Sequence, residues 1–271
     1  MIKENILNKQ FKRVEKQEEK LLNKKDNKFI KTKVYPFINK MEEKIPTKLK
    51  ATLNLTFYKG FQLIFDKGNK YIEKTYNKDK SKLQYDLNNY YVQRKLSNKN
   101  IKKLDKQSNM SKIKNTYISV AEGAILGFLG IGLPDIPLFI SIIIKTIYEV
   151  ELSYGFDHKN EEEKCYILLL ICGAMTKGTE QNKYNKQIEL LGKQIDENII
   201  NAEIDLQKQM KITSDVLSES LLTTKFIQGI AVVGVVGSIV NYIIIRKIGK
   251  FAGLKYKKRY LLKRQKILEY Q

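Results

Sequence analysis

Two long apolar segments rich in glycine dominate the hydrophobic pattern of this chain. The first lies within residues 117–157, where an apolar run stops at the letters LPDIP, resumes, and ends at a Tyr-Gly turn. We predict two helices joined at a corner, with the Asp135 carboxylate capping the helix that begins at Ile136. An acid in the bend of a helical hairpin is also typical of a polar pocket or an intramembrane site, so Asp135 keeps both interpretations.

The second apolar segment, Phe226–Ile245, holds 20 residues without a charge. A helix of this length is about 30 Å long, which is enough to cross the hydrocarbon core of a bilayer. A fully buried helix of a large bundle has the same pattern, and the polar side chains of Gln228, Ser238 and Asn241 weaken the transmembrane interpretation. Both interpretations stay open.

Each of these segments carries a stripe of small or short side chains at helical spacing. Such stripes let two helix backbones approach closely. We predict that the two stripes face each other or a neighbouring helix. Their members are Gly123, Gly127 and Gly130 in the first segment, and Gly234, Gly237, Ser238 and Asn241 in the second.

The other apolar positions also follow helical spacing. They recur over residues 45–76 and 184–222, and the second run has a candidate break near Thr213 and Ser214. No alternating strand pattern stands out, so the predicted class is all-α.

A single helical bundle is expected, bounded by basic segments. We place the helical domain at residues 34–262, after an N-terminal extension of residues 1–33 and before a basic tail of residues 263–271. The extension is rich in lysine with few apolar positions, and we expect it to be frayed or disordered.

Charge is unevenly distributed along the chain. In total, 50 basic residues face 29 acidic ones. Residues 1–115 carry a net charge of +18, residues 116–225 carry −6 and residues 226–271 carry +9. Both ends therefore suit a polyanionic partner, for which anionic lipid is as eligible as nucleic acid. The first twenty residues have no apolar core of a secretory signal, so we expect a cytoplasmic start.

The tail after the second apolar segment interleaves basic and apolar side chains. This pattern is typical of an amphipathic helix that lies on anionic lipid. No nucleic-acid-binding motif accompanies it, which makes nucleic acid an unlikely partner. The predicted membrane-surface residues are Arg246, Lys247, Lys250, Lys255, Lys257, Lys258 and Arg259.

Few residues offer recognisable chemistry. Cys165 and Cys172 are seven residues apart, and we expect both to be buried and reduced; together with the single histidine, His158, they cannot form a four-ligand zinc set. We expect His158 to be a solvated loop residue. We therefore expect no enzymatic activity, no metal and no cofactor.

Two further residues mark helix boundaries. Gly155 suits the left-handed position after a helix. Asn160, followed three residues later by Glu163, matches a capping box and predicts a helix start.

Three blocks of the sequence together resemble the EcsC family of bacterial proteins, named after an operon that encodes an ABC transporter. They are residues 45–68, the segment with LPDIP and YGFD, and residues 225–261. The resemblance covers about residues 34–262 and implies a helical protein linked to the membrane, with no established catalytic activity. The recurrent family positions correspond to Asp135, Tyr154, Gly155, Asp157, Gly234, Asn241 and Arg259.

The primary functional hypothesis is a non-enzymatic helical protein on the cytoplasmic face of the membrane, either peripheral or inserted by a helical hairpin. A membrane-protein partner such as a transporter fits this hypothesis. The alternative is a soluble bundle that encloses a lipid-like ligand. A hydrolase that uses Glu122, Asp135 or Asp157 is a third possibility, which requires acids that converge in space.

Overall fold

Nine α-helices and one π-helical turn account for nearly all of the described chain, and no strand is found within it, which confirms the all-α prediction. The computed structural model describes residues 2–23, 47–68, 72–73, 76–127, 135–199, 205–227 and 237–269. The helices are α1 Ile2–Leu22, α2 Thr47–Leu63, α3 Lys78–Arg94, α4 Asn98–Gly127, α5 Asp135–Leu152, α6 Glu161–Met175, α7 Gly178–Glu197, α8 Leu206–Ile227 and α9 Gly237–Glu269. The π-helix, Ile64–Gly68, continues α2.

Helices α5 and α6 form the centre of the core. Helix α6 is buried along all of residues 165–175, as expected for a helix that is apolar on every side. It packs against α7, α8 and α9, whereas α5 packs against α2, α4 and α9. Cys165 and Cys172 lie in α6 as free, buried thiols, as predicted.

Helix α9 runs antiparallel to α4 along the bundle. Lys257 of α9 contacts Asp105, whereas Gly249, two turns earlier, lies against Lys112, further along α4. A Cβ atom at Gly249 would lie 3.1 Å from side-chain atoms of Lys112 and of Thr146 in α5. This glycine therefore lets α9 approach both neighbours closely, a role that the sequence analysis missed.

Helix α1 corrects the prediction that the N-terminal extension is frayed or disordered. Residues 2–22 form a regular helix that packs mainly on α9, with Leu7 and Val14 buried. The Gln10 side chain donates a hydrogen bond of 2.6 Å to Asn98 at the start of α4. Sparse apolar positions suffice here because they fall on one face of the helix.

The break predicted near Thr213 and Ser214 is wrong. Helix α8 runs through both residues, whose hydroxyl groups donate to the carbonyl oxygens of Gln209 and Met210 one turn earlier. The chain turns before α8 instead, at Asn198, which has a left-handed φ of 54° and ends α7.

The described residues contain no helix that is long and apolar enough to span a membrane. Much of the candidate span Phe226–Ile245 lies outside them, because residues 228–236 are not described.

Candidate functional site

A sharp turn after α5 brings charged side chains into the core. Gly155 adopts a φ of +79°, which confirms the predicted left-handed position. A Cβ atom here would overlap the ring of Tyr85 from α3. Backbone bonds from Tyr154 and Phe156 to the Glu151 carbonyl, at 2.9 and 3.1 Å, close the turn. The turn thereby places His158, three residues later, against α5.

His158 follows this turn and is 1 % exposed, so the prediction of a solvated loop residue is wrong. Its ring stacks on Tyr148, with 3.4 Å between centroids. The Nδ1 atom contacts the Glu151 carboxylate, and Nε2 lies 3.2 Å from Glu73. His158 therefore lies between two carboxylates in a fixed orientation.

Glu151 is fully buried in the last turn of α5. Besides His158, it accepts a hydrogen bond of 3.0 Å from the Tyr256 hydroxyl of α9. Burial raises the pKa of Glu151, and the nearby charge of Glu163 acts in the same direction while His158 and Tyr256 oppose it. An acid in such an environment needs a compensating positive charge to remain ionised.

Arg259 binds two carboxylates in the same region. Its guanidinium donates to Glu163 at 3.0 and 2.7 Å and to Asp196 at 3.0 and 2.8 Å. The rings of Phe156 and Tyr166 lie 4.3 and 4.5 Å from its central carbon. Although burial opposes the charge, the bonds to Asp196 and Glu163 raise the pKa of Arg259 further above its ordinary value.

Only one of the two hydrogen bonds expected of the capping box at Asn160 and Glu163 is formed. Asn160 accepts a hydrogen bond of 3.2 Å from the Glu163 backbone, which confirms the predicted start of α6. The Glu163 carboxylate, however, binds Arg259 instead of turning back to the cap. The local sequence pattern therefore predicted the helix start correctly. It did not predict the partner of the Glu163 carboxylate, which is 96 positions away in sequence.

Asp157 and Glu73 form the outer edge of this region. Lys82 lies 3.2 Å from Asp157, and Lys78 lies 2.6 Å from Glu73. Although partial burial favours their neutral forms, these ammonium groups lower the pKa of both acids. We call Glu73, Glu151, Asp157, His158, Glu163, Asp196 and Arg259 the charged cluster.

Tyr154, another family position, lies just outside the charged cluster. Its buried hydroxyl donates a hydrogen bond of 2.9 Å to Asp105 of α4. Lys257 also binds Asp105, at 2.7 Å. Three helices are thus joined at the C-terminal end of α5.

Two of the residues predicted to lie on the membrane surface are buried instead. Lys255 and Arg259 are 2 % and 5 % exposed, so the prediction that they face lipid is wrong. Lys255 binds Glu18 of α1 and lies 3.1 Å from Glu189 of α7. Buried charges require such partners, which here come from helices that the sequence does not place beside α9.

The other predicted surface residues differ in their contacts. Lys258 binds Glu18 and Glu189 at 2.9 and 2.5 Å, and it is only partly exposed, as is Lys257. Arg246 and Lys250 are exposed, and Lys247 is partly exposed. Of the predicted surface residues, the two that are exposed, Arg246 and Lys250, thus lie in the first half of α9.

The opposite end of the bundle is where both glycine-rich segments meet the described helices. Because α4 is antiparallel to α9, the end of α4 at Gly127 and the start of α9 at Gly237 lie at the same end. Helix α5 is parallel to α9, as Thr146 meets Gly249 and Glu151 meets Tyr256, so its start at Asp135 lies there too. We call this the glycine-rich end.

Five residues of the predicted small-residue stripes belong to the two helices that stop or start at this end, and the surroundings of their side chains are not described. Gly123, Gly127, Gly237, Ser238 and Asn241 are helical, and Gly130 and Gly234 lie outside the described residues. The predicted contact between the stripes stays a prediction. Asp135 is the first residue of α5, close to the predicted helix start.

This architecture defines a class of protein: an all-helical bundle with an internal charged cluster at one end and glycine-rich apolar segments at the other. The chain belongs to the EcsC protein family, whose sequence profile matches residues 8–261. Since the match begins within α1, the family domain extends further than the predicted start at residue 34. Neither the curated proteins nor the solved structures gave a match.

Proposed function

We propose that this protein associates with a lipid membrane through its glycine-rich end, on the cytoplasmic side, without catalysing a reaction. The convergence of the helix ends carries the proposal. Two segments that are 70 or more residues apart in sequence flank helices that start or stop at one end of the bundle. An apolar patch that gathers at one end of a helical protein is typical of a membrane or partner contact.

The sequence of these segments supports the same conclusion. Residues 226–245 contain no charge, and residues 117–144 contain only Glu122 and Asp135. Immediately after the uncharged run, α9 exposes Arg246 and Lys250. Apolar surface next to exposed cations is the arrangement that binds anionic lipid. A transporter or another membrane protein would then be reached at the membrane surface.

Flotation of the full chain with vesicles of phosphatidylglycerol and phosphatidylcholine tests this proposal. We expect the chain to float with the vesicles, and Val233→Glu or Phe128→Glu to reduce this binding strongly because each places a charge in an apolar segment. Leu83→Glu is the matched control, since Leu83 is 61 % exposed on α3 beside the charged cluster. Equal binding by all four proteins, or no binding by the parent chain, would refute the proposal.

Washing cell membranes with high salt and then with carbonate separates the two modes of association. Release by salt indicates electrostatic docking, and retention after carbonate indicates insertion. A chain found only in the soluble fraction refutes both modes. Native mass spectrometry of that fraction would then test the soluble bundle with a bound lipid-like ligand.

A further inference from the structure

Glu151, a buried acid of the charged cluster, has few partners for its carboxylate. Both of its carboxylate oxygens are buried, and they contact only His158 and the Tyr256 hydroxyl among the described side chains. The nearby cations are used elsewhere: Arg259 binds Glu163 and Asp196, and Lys78 and Lys82 bind Glu73 and Asp157. No Lys or Arg side chain of the described residues pairs with Glu151, and its carboxylate would stabilise a cation bound beside it.

Three potential metal ligands converge at this position. A ring nitrogen of His158 and one carboxylate oxygen each from Glu151 and Asp157 lie within 4.8 Å of one another. A tetrahedral metal ion with bonds of about 2.0–2.2 Å holds its ligand atoms about 3.5 Å apart. Side-chain adjustments that open the direct contact between His158 and Glu151 would let the three residues bind one ion.

Neighbouring side chains hold the outer atoms of these ligands. Histidines that bind metals usually donate their second ring N–H to a carboxylate, and His158 Nε2 lies 3.2 Å from Glu73 in this way. The Tyr256 hydroxyl binds one oxygen of Glu151 at 3.0 Å, and Lys82 binds Oδ2 of Asp157 at 3.2 Å. The atoms left for an ion are therefore Nδ1 of His158, Oε1 of Glu151 and Oδ1 of Asp157.

Two buried oxygen atoms of this region have unused hydrogen-bonding capacity. Oδ1 of Asp157 and the hydroxyl of Tyr76 have no hydrogen-bond partner among the described residues. Lys78 lies 3.8 Å from Oδ1, too far for a hydrogen bond. Tyr76 is 8 % exposed. Burial, together with the negative charges of Glu151 and Glu73, raises the pKa of its hydroxyl. Buried polar atoms without partners are rare unless a water or an ion contacts them.

We propose that Glu151, Asp157 and His158 bind one divalent transition-metal ion, with Glu73 orienting His158. One imidazole and two carboxylates suit Zn²⁺ or Mn²⁺, whereas Ca²⁺ and Mg²⁺ prefer sites made only of oxygen. The sequence predicts no metal site, because two cysteines and one histidine cannot form a four-ligand zinc set and acids that meet only in the fold leave no spacing pattern. This assignment is independent of membrane association.

Metal binding by the full chain tests the assignment. After treatment with EDTA and dialysis, titration with ZnCl₂ and with MnCl₂ by calorimetry should show about one ion per chain for at least one metal. Asp157→Asn and His158→Gln should abolish this binding. Glu73→Gln should weaken it by about 10–100-fold, because Glu73 holds the His158 ring through Nε2.

A double variant, Cys165→Ser with Cys172→Ser, is the matched control. It removes both thiols of the chain and should leave the binding unchanged, and the Co²⁺-loaded parent chain should show no sulfur-to-metal charge-transfer band. Asp157 is partly exposed, with 28 % of its side chain accessible, so Asp157→Asn tests the site even if His158→Gln does not fold. Absence of binding to both metals, or equal binding by Asp157→Asn and the parent chain, would overturn the assignment.

Discussion

The charged cluster and the glycine-rich end are built by the same long helices, yet they use charge in opposite ways. Helices α5 and α9 each begin at the glycine-rich end, at Asp135 and Gly237, and each reaches the charged cluster about five turns later. In the charged cluster, Glu163 of α6 and Asp196 of α7 bind Arg259 of α9. At the glycine-rich end, Arg246 and Lys250 of the same helix remain exposed.

This difference shows that the basic character of α9 has two separate uses. One part of it holds the bundle together, and the other part remains available to a partner. A net charge of +9 over residues 226–271 therefore overstates the charge that a membrane would meet. Variants that remove charge at the two ends should consequently affect different measurements: stability at the charged cluster, and binding at the glycine-rich end.

Arg259→Met is expected to have the largest effect. It leaves the buried carboxylate of Glu163 and that of Asp196 without their bidentate partner, which typically costs about 3–5 kcal/mol. Urea unfolding of the purified chain measures this loss. Lys263→Met is the matched control, because Lys263 also contacts Asp196, at 3.1 Å, but is 45 % exposed and should cost at most about 1 kcal/mol. Similar losses for both variants would contradict the internal role of Arg259.

Gly155→Ala tests the turn that directs His158 into the charged cluster. A left-handed alanine costs about 1–2 kcal/mol, and overlap with the Tyr85 ring should add about 1–3 kcal/mol. Gly178 also has a positive φ, of 61°, but a Cβ atom there would meet nothing within 4 Å. Gly178→Ala should therefore show the backbone cost alone in the same urea measurement. Equal losses would mean that Tyr85 moves away without cost.

The helices and the turn at Gly155 could be predicted from sequence because each depends on residues close along the chain. Periodicity predicted the all-α class, and Asn160 predicted the start of α6. The charged cluster was missed because its pairs join distant residues, such as Arg259 with Glu163. His158 was predicted to be solvated because polar residues after a Tyr-Gly turn are usually exposed. The residues that bury it are not apparent from the sequence around it.

Some signals of the charged cluster were nevertheless present in the sequence. Glu151 interrupts the apolar face of α5, and an acid at such a position needs a buried partner. The ordered helix α1 was not predicted, because its packing depends on ion pairs from Glu18 to Lys255 and Lys258, more than 230 residues away.

Replacing Arg246 and Lys250 together by glutamine tests the available charge at the glycine-rich end. Each cation near an anionic surface contributes about 1 kcal/mol, so the double variant should bind phosphatidylglycerol vesicles about 30-fold more weakly. Lys99→Gln with Lys102→Gln is the matched control, because both lysines are exposed at the start of α4, near the charged cluster. We expect the control to bind like the parent chain. If the control loses as much affinity, membrane binding reflects total charge and not the glycine-rich end.

Glu189→Gln is expected to have the smallest effect, and it tests the basic residues that α9 uses internally. Although partial burial opposes the shift, Lys258 and Lys255 lower the pKa of Glu189 from 4.5 to about 2. Because the folded chain holds this proton less tightly than the unfolded chain, the ion pairs stabilise the fold above about pH 4.5. That contribution is lost progressively as the pH falls toward 2.

Urea unfolding at pH 7 and at pH 3 measures this contribution. Glu189→Gln should be less stable than the parent chain at pH 7, by less than about 1 kcal/mol because Glu189 is half exposed. The difference between the two proteins should shrink at pH 3, since the parent chain has then lost part of the same interaction. Glu219→Gln, at an exposed position of α8, should match the parent chain at both pH values. If the difference at pH 7 persists unchanged at pH 3, Glu189 acts through packing and not through its charge on Lys255 and Lys258.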